Sequence, residues 1–101
     1  YNCAGPRYTI ETERIDLTRV ETLSAEFVRS DRASGDLSIR VDGVPVASGT
    51  IGRTLPARVA IRGAEAGLNR SSPVDDRYEV PFAFTGALNR VVVRLRDDQL
   101  L

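Results

Sequence analysis

An Asp-Gly pair between two alternating apolar runs constrains the fold of this chain more than any other feature. Residues 37–41 precede Asp42-Gly43, and residues 44–46 follow it. Both central residues of a tight hairpin turn need positive φ, which Asp and Gly reach at low cost. The sequence therefore predicts an antiparallel β-hairpin at this point.

The predicted hairpin also has a predicted register. Because a two-residue turn fixes the pairing of its flanks, Val41 should face Val44 and Ile39 should face Val46, all on one side of the sheet. Pro45 must then lie where its missing N–H points away from the ladder.

The same period-two alternation recurs along the chain, in residues 8–12, 23–28, 58–62 and 91–95. Apolar side chains at every second position predict half-buried strands. Residues 15–28 favour a loop that leads into a strand over a helix. About seven short strands separated by turns predict an all-β chain with an antiparallel β-sandwich.

Composition excludes several kinds of chemistry. The chain has no His, no Lys and no Met, and all 14 of its basic residues are Arg. Without His there is no Ser-His or Cys-His pair and no histidine-bound zinc. Cys3 alone forms no internal disulfide and no zinc site, so it is either a reactive thiol or a small apolar side chain.

Charge and length limit the partners. Net charge is zero, which predicts no general attraction to nucleic acid or to a membrane surface. No apolar run approaches the roughly 20 residues that span a bilayer, so we expect a soluble chain. The 101 residues predict a single domain, 1–101, or a piece of one. A start without Met suggests processing or trimming from something longer.

An acidic turn is the candidate metal site. Asp75 and Asp76 follow Pro73, with Asn69 and Glu79 near them in the sequence. Carboxylate and amide oxygens in a loop suit calcium. Their spacing fits no recognised calcium loop, and Asp side chains that bond to nearby backbone give the same pattern. Both interpretations stay open, with turn chemistry preferred.

Arginines on the strands form a second candidate. If their strands are neighbours, a basic stripe that binds a polyanion would result; otherwise they form a solvated face balanced by glutamates. The residues are Arg40, Arg58, Arg62, Arg90, Arg94 and Arg96.

Three aromatic residues form the third candidate. Tyr78, Phe82 and Phe84 could stack on a sugar ring, or at least two of them could anchor the core. Their alternation with smaller residues favours the core interpretation.

The order of these motifs resembles the C-terminal region of bacterial arylsulfatases over nearly the whole chain. In that family an Asp-Gly hairpin precedes a Gly-x-Asp/Asn turn, a Ser-Pro-Val bend, a Tyr, a Pro-Phe-x-Phe-Thr-Gly run and a Val-rich strand. The matching residues are Asp42, Gly43, Gly67, Asn69, Ser72, Pro73, Tyr78, Pro81, Phe82, Phe84, Thr85 and Gly86. Asn69 stands where Asp is frequent.

The resemblance implies a function outside catalysis. The family's formylglycine and its divalent cation, usually calcium, belong to a catalytic domain upstream, so this chain would hold no catalytic residue and no cofactor. It would be an accessory sandwich of concanavalin or jelly-roll type, whole or incomplete, that packs on that catalytic sulfatase domain. A stand-alone lectin-like carbohydrate-binding module is the alternative, and an independent enzyme is a weaker one.

The resemblance also implies strands before Tyr1 that pair with those present here. Their loss would leave an unpaired edge and an uncovered apolar face. We therefore expect the isolated chain to form a homo-oligomer. Its location would follow the parent protein, in the bacterial cytoplasm or secreted.

Overall fold

The computed structural model of the chain describes residue 1 and residues 7–54, 66–70 and 73–95. The described residues are mostly β, with antiparallel sheets, as the alternation predicts. The chain divides into two compact units, Tyr1–Arg58 and Val59–Leu101, called here the first and the second unit. Within the described ranges, no helix is both long and apolar enough to cross a bilayer.

The first unit contains a three-stranded antiparallel sheet. A short 3₁₀ helix, Leu17–Arg19, which the sequence did not predict, precedes β1 (Leu23–Arg29), and the strand predicted after the loop is present. Strands β2 (Gly35–Val41) and β3 (Val44–Ile51) follow, and the spatial order is β1-β2-β3. Consecutive strands are therefore spatial neighbours.

The predicted hairpin turn joins β2 to β3. Asp42 has φ 50° and Gly43 has φ 81°, so both central residues occupy the left-handed region. The Asp42 carboxylate also accepts hydrogen bonds from the backbone N–H groups of Glu21 and Thr22, at 3.0 and 2.8 Å. Because those residues directly precede β1, one side chain ties the start of β1 to the tip of the hairpin.

The predicted register is right at the turn and wrong two residues further along. Val41 pairs with Val44, but Ile39 pairs with Ala47, because a bulge in β3 shifts the register at Val46. Without this shift, Ile51 would lie on the polar face of the sheet. The bulge therefore keeps the most buried hydrophobic side chain on the apolar face.

The sheet has one apolar and one polar face. On the polar face, the Thr50 hydroxyl donates to the Asp36 carboxylate at 2.8 Å, across a directly opposed pair. Arg40 lies 4.0 Å from Glu26 on the same face. The apolar face carries Leu23, Ala25, Phe27, Leu37, Ile39, Val41, Val44, Ala47 and Ile51.

Residues 8–12 lie against this sheet without joining it. They belong to no described strand, so the predicted strand is wrong. Their burial still alternates, since Tyr8 and Ile10 are half-buried and Thr9 is exposed. A Cβ added at Gly49 would lie 2.8 Å from Cγ1 of Ile10. The period-two pattern therefore reflects contact with a sheet face and needs no ladder.

The second unit has a much smaller sheet. Strands β4 (Leu68–Asn69) and β5 (Phe82–Ala83) pair antiparallel. Residues 91–95, predicted as the closing strand, form no strand, and all are exposed. A strand needs a neighbour for its N–H and C=O groups, and no described ladder includes this run. The predicted strand around Val59 and Ile61 lies outside the described residues.

Burial is slight throughout the described part of the chain. Ile51, at 4% exposure, is the one buried hydrophobic residue there. Several large apolar side chains are more than half exposed: Leu23, Val44, Val74, Phe82, Leu88, Val91, Val92, Val93 and Leu95. A folded domain of this size normally removes roughly two-thirds of its surface from water. The described residues therefore expose more apolar surface than is usual for a folded domain.

Candidate functional site

The two ends of the aromatic segment meet in the second unit. Leu68 pairs with Ala83 and Asn69 pairs with Phe82. The N–H of Phe84 donates to the carbonyl of Gly67 at 2.7 Å, which extends this pairing by one position. The residues between β4 and β5 are thus closed into a loop with a short two-stranded base.

An open pocket of about 390 Å³ lies at this base. Its lining is mostly apolar and consists of Gly67, Leu68, Asn69, Tyr78, Phe82 and Phe84. The rings of Tyr78 and Phe82 meet edge to face, with centroids 5.2 Å apart. This arrangement suits the quadrupoles of two aromatic rings and holds them at a fixed angle.

The Tyr78 hydroxyl organises the loop. It accepts one hydrogen bond from Nδ2 of Asn69 at 2.8 Å and one from the backbone N–H of Val74 at 2.9 Å. The Asn69 bond attaches the hydroxyl to β4, and the Val74 bond attaches it to the bend after Pro73. Tyr78 therefore holds the loop to its base with its polar end while its ring lines the pocket.

Gly67 shapes the pocket through its backbone. Its φ of 80° lies in the left-handed region, where a side chain is strained. A Cβ at this position would also lie 3.3 Å from Cδ2 of Leu88. The left-handed backbone is what favours glycine here, because the exposed Leu88 side chain could move by a few tenths of an ångström.

The acidic turn forms the local contacts that turn chemistry predicts. Oδ1 of Asp75 accepts from the backbone N–H of Arg77 at 2.8 Å and from Nε of Arg77 at 2.8 Å. Oδ2 accepts from Nη2 of the same arginine at 3.0 Å. Calcium at Asp75 would have to displace this two-pronged ion pair.

The remaining metal candidates do not complete a site in the described part of the chain. Asn69 uses its amide N–H on Tyr78, and Asp76 lies exposed in the turn. Residues 66–70 and 73–95 contribute to no group of three or more acidic, His or Cys side chains that could hold a metal ion. The structure thus gives the calcium interpretation no support.

The aromatic residues differ from their predicted role. Tyr78 is half-buried, but Phe82 and Phe84 are 51% and 42% exposed, so the expectation of at least two core anchors is wrong. Anchoring needs a second layer that faces the rings, and no described element of this unit supplies one. The two phenylalanines form the pocket wall instead.

The other signature residues are spread over both units. Asp42 and Gly43 form the hairpin of the first unit, and Ser72 lies outside the described residues. Pro73 is half-buried beside the bend. Pro81, after a cis peptide bond, is exposed, as are Thr85 and Gly86.

The arginine candidates that the structure describes belong to different units. Arg40 lies near Glu26 on the sheet of the first unit, while Arg90 and Arg94 lie on strand-free backbone of the second. Arg58, Arg62 and Arg96 lie outside the described residues, as does Cys3.

Sequence reasoning missed two features of possible use in recognition. Leu68 lines the pocket, although a Gly-Leu-Asn sequence reads as a plain turn. The outer edge of β1 is the other, and the alternation that predicts a strand does not say which strand ends at an edge.

Comparisons with protein-family models, with curated proteins and with solved structures give no match.

Proposed function

We propose that this chain is a non-catalytic C-terminal accessory domain of an arylsulfatase-like sulfuric ester hydrolase. In this proposal its strands belong to a concanavalin-type or jelly-roll-like sandwich, and its apolar surface packs on the catalytic sulfatase domain. The observation that carries the proposal is the exposure of large apolar side chains beside a minimal core.

The exposure values support a docking role. Val93 is 79% exposed, Leu95 is 72% exposed and Val44 is 61% exposed. Each large aliphatic side chain that becomes covered contributes roughly 1.5–3 kcal/mol. Apolar surface on this scale marks sites of protein contact more often than plain solvent-facing surface.

The sequence supports the identity of the partner. The signature residues follow the order found in the arylsulfatase C-terminal region, and the chain lacks the histidines that such a catalytic site uses. The resemblance implies that the family's divalent cation is bound by the catalytic domain. The role left for this chain is to cover and stabilise that domain, or to form a wall near its active site.

A reconstitution experiment tests the proposal. A purified bacterial arylsulfatase catalytic domain without its own C-terminal region is titrated with this chain, and binding is followed by calorimetry and by the melting temperature of the catalytic domain. We expect saturable binding with a rise in that temperature. Val93→Asp should weaken binding at least tenfold, since a carboxylate is costly to bury.

A matched control places the same charge on the polar face of the sheet. Ser48 is exposed there, so Ser48→Asp should bind like the unaltered chain. Equal binding by Val93→Asp, or the absence of any binding, would contradict the proposal. The chain alone should leave nitrophenyl sulfate intact, and turnover would instead indicate an independent enzyme.

A carbohydrate-binding module is the second candidate, favoured by the exposed rings of Phe82 and Phe84 in the pocket. Sugar sites pair a stacking ring with several hydrogen-bonding groups, and this pocket offers mainly the amide of Asn69. Titration with neutral and sulfated oligosaccharides separates the candidates. Binding that Phe84→Ala abolishes and Val92→Ala retains would favour the module.

A further inference from the structure

The pocket at the base of β4 and β5 has a size and a lining that suit a small molecule. Its volume of about 390 Å³ lies in the lower part of the usual range for ligand sites, roughly 300–1,000 Å³. Its lining includes three aromatic side chains, those of Tyr78, Phe82 and Phe84. Phe82, Phe84 and Leu68 of this lining are exposed, so a bound ligand would cover apolar surface that water now contacts.

The aromatic rings of the lining are placed by contacts within the second unit. The rings of Tyr78 and Phe82 meet edge to face, with centroids 5.2 Å apart. The Phe84 ring lies over Gly86, since a Cβ added there would be 2.5 Å from Cζ and 2.8 Å from Cε1 of that ring. Aromatic rings attract one another through their quadrupoles, an attraction that a saturated ring lacks. The lining therefore favours a planar aromatic ligand over a saturated one of similar size.

The Tyr78 hydroxyl supplies a hydrogen-bond donor at this pocket. A phenolic hydroxyl has one proton to donate and an oxygen that accepts. In both of its hydrogen bonds within the described part of the chain, from Nδ2 of Asn69 and from the N–H of Val74, the oxygen is the acceptor. The proton is donated to none of the described residues. Asn69 and Tyr78 both line the pocket, so the 2.8 Å bond between them joins the hydroxyl to the pocket wall.

The two accepted bonds also strengthen this donor. They draw electron density from the oxygen, and hydrogen bonds in a chain strengthen one another for this reason. An ammonium group has no lone pair to accept the proton, and a carboxylate would lose much of its solvation in an apolar pocket. A neutral carbonyl oxygen accepts the proton without this cost.

We propose that this pocket binds a small planar aromatic ligand that carries a neutral carbonyl oxygen. The ring contacts Phe82 and Phe84, and the oxygen accepts the proton of the Tyr78 hydroxyl. Such binding goes beyond the accessory role and does not rest on it, because it uses only residues of this pocket. It also differs from sugar binding, which needs several hydrogen-bonding groups where this ligand needs one.

Titration of the full chain with matched probes tests the ligand class. Acetophenone has the ring and the carbonyl, cyclohexyl methyl ketone has the carbonyl on a saturated ring, and ethylbenzene has the ring alone. NMR shifts of the Asn69 and Phe82 amides report binding. We expect saturable shifts with acetophenone and a dissociation constant about threefold higher for cyclohexyl methyl ketone. No saturable shift with acetophenone, or tighter binding of methyl β-glucoside, would overturn the proposal.

Two variants separate the hydroxyl from the ring contact. Tyr78→Phe should weaken acetophenone binding about fivefold and change ethylbenzene binding by less than about twofold, because only the ketone uses the proton. Since both probes meet the same variant, any loosening of the loop affects both equally. Phe84→Ala should weaken both probes about tenfold, whereas Val92→Ala, at an exposed residue outside the lining, should leave both unchanged. Equal weakening of the two probes by Tyr78→Phe would overturn the role of the hydroxyl.

Gly86→Ala moves the Phe84 ring without removing it. The added methyl group would lie 2.5 Å from Cζ of that ring, so the ring has to shift. Acetophenone binding should therefore weaken about threefold. Circular dichroism confirms that the variant keeps the fold of the unaltered chain. Acetophenone binding that is unchanged in both Gly86→Ala and Phe84→Ala would overturn the proposal.

Discussion

The two units of this chain are stabilised in different ways. The first unit has two ladders of seven residue pairs each, which share β2, and a tight turn joins β2 to β3. The second has a ladder of two pairs, and its loop is held by the Tyr78 hydroxyl and the Asp75–Arg77 contact. Cooperative ladders resist local opening better than single side-chain bonds at the surface. The first unit should therefore be the more stable of the two.

The two units also differ in what they offer a binding partner. The regular sheet fixes backbone positions over three strands, whereas the loop presents exposed aromatic rings around a pocket. Binding surfaces commonly lie on such loops, supported by a more rigid neighbouring structure.

The largest expected effect comes from a glycine in the ladder of the first unit. A Cβ at Gly35 would lie 2.5 Å from the Val28 carbonyl oxygen and 2.5 Å from Cζ of Phe27. Because the backbone oxygen cannot rotate away, Gly35→Ala should lower the free energy of unfolding by about 2–3 kcal/mol. Urea unfolding followed at the β2 amides measures this change in the free energy of unfolding.

A glycine of the second unit is the matched control. A Cβ at Gly86 would lie 2.5 Å from Cζ of Phe84, an exposed ring that can turn away. Gly86→Ala should therefore change stability by less than about 0.5 kcal/mol. Equal effects at the two positions would refute the contrast between a rigid ladder and an adaptable loop.

Removal of the Asp42 carboxylate should have the next largest effect. Asp42→Ala loses both bonds to the start of β1 and places alanine at positive φ, so the first unit should lose about 2 kcal/mol. Asp42→Asn keeps an acceptor oxygen and tolerates the left-handed region, and should lose less than half as much. Amide exchange at Glu21 and Thr22 reports the change, which should be absent from the second unit.

The loop of the second unit should depend on one hydroxyl. Tyr78→Phe removes the acceptor for Asn69 and Val74 while keeping the ring contact with Phe82. We expect a loss of about 1 kcal/mol, seen as faster amide exchange at Val74. A double-mutant cycle with Asn69→Ala isolates that one bond, and full additivity of the two changes would show that it contributes nothing.

The smallest effect is a dependence on acid pH in the first unit. Hydrogen bonds from the Thr18 hydroxyl and the Thr18 N–H lower the pKa of Asp16 below 3.8. Bonds from the Ala33 N–H and the Ser34 side chain lower the pKa of Asp31 in the same direction. A carboxylate with a lowered folded pKa adds stability above its unfolded pKa and loses it as pH falls through the folded value. NMR titration of both carboxyl groups should give pKa values below 3.8. Asp16→Asn should reduce the loss of stability that occurs as pH falls.

Much of the first unit could be predicted from its sequence. Asp42 and Gly43 specify the turn because few residue pairs accept positive φ twice, and the alternation in 23–28 and 37–41 specifies β1 and β2. The bulge at Val46 was not predicted, although the sequence carries a signal for it. An unshifted hairpin would place even-numbered residues of β3 on the same face as Ile39 and Val41. Ala47 and Ile51 are odd-numbered, so they reach that face only if one residue is inserted.

The candidate site was less predictable. The sequence singled out Tyr78, Phe82 and Phe84, but it assigned them to the core, because alternation shows which residues share a face and not whether another layer covers it. The strand predicted at residues 91–95 is wrong for a related reason, because strand propensity has an effect only where a neighbouring strand supplies hydrogen bonds.

The sequence by itself determined the local features of this protein: the hairpin turn, the runs that form β1 and β2, and the acidic turn. Turn geometry and period-two alternation depend on neighbours in the chain, so they can be read from it directly. Only the tertiary structure decided the register beyond Val46, the exposure of Phe82 and Phe84 and the role of the Tyr78 hydroxyl. Those depend on residues distant in sequence that meet, or do not meet, in space.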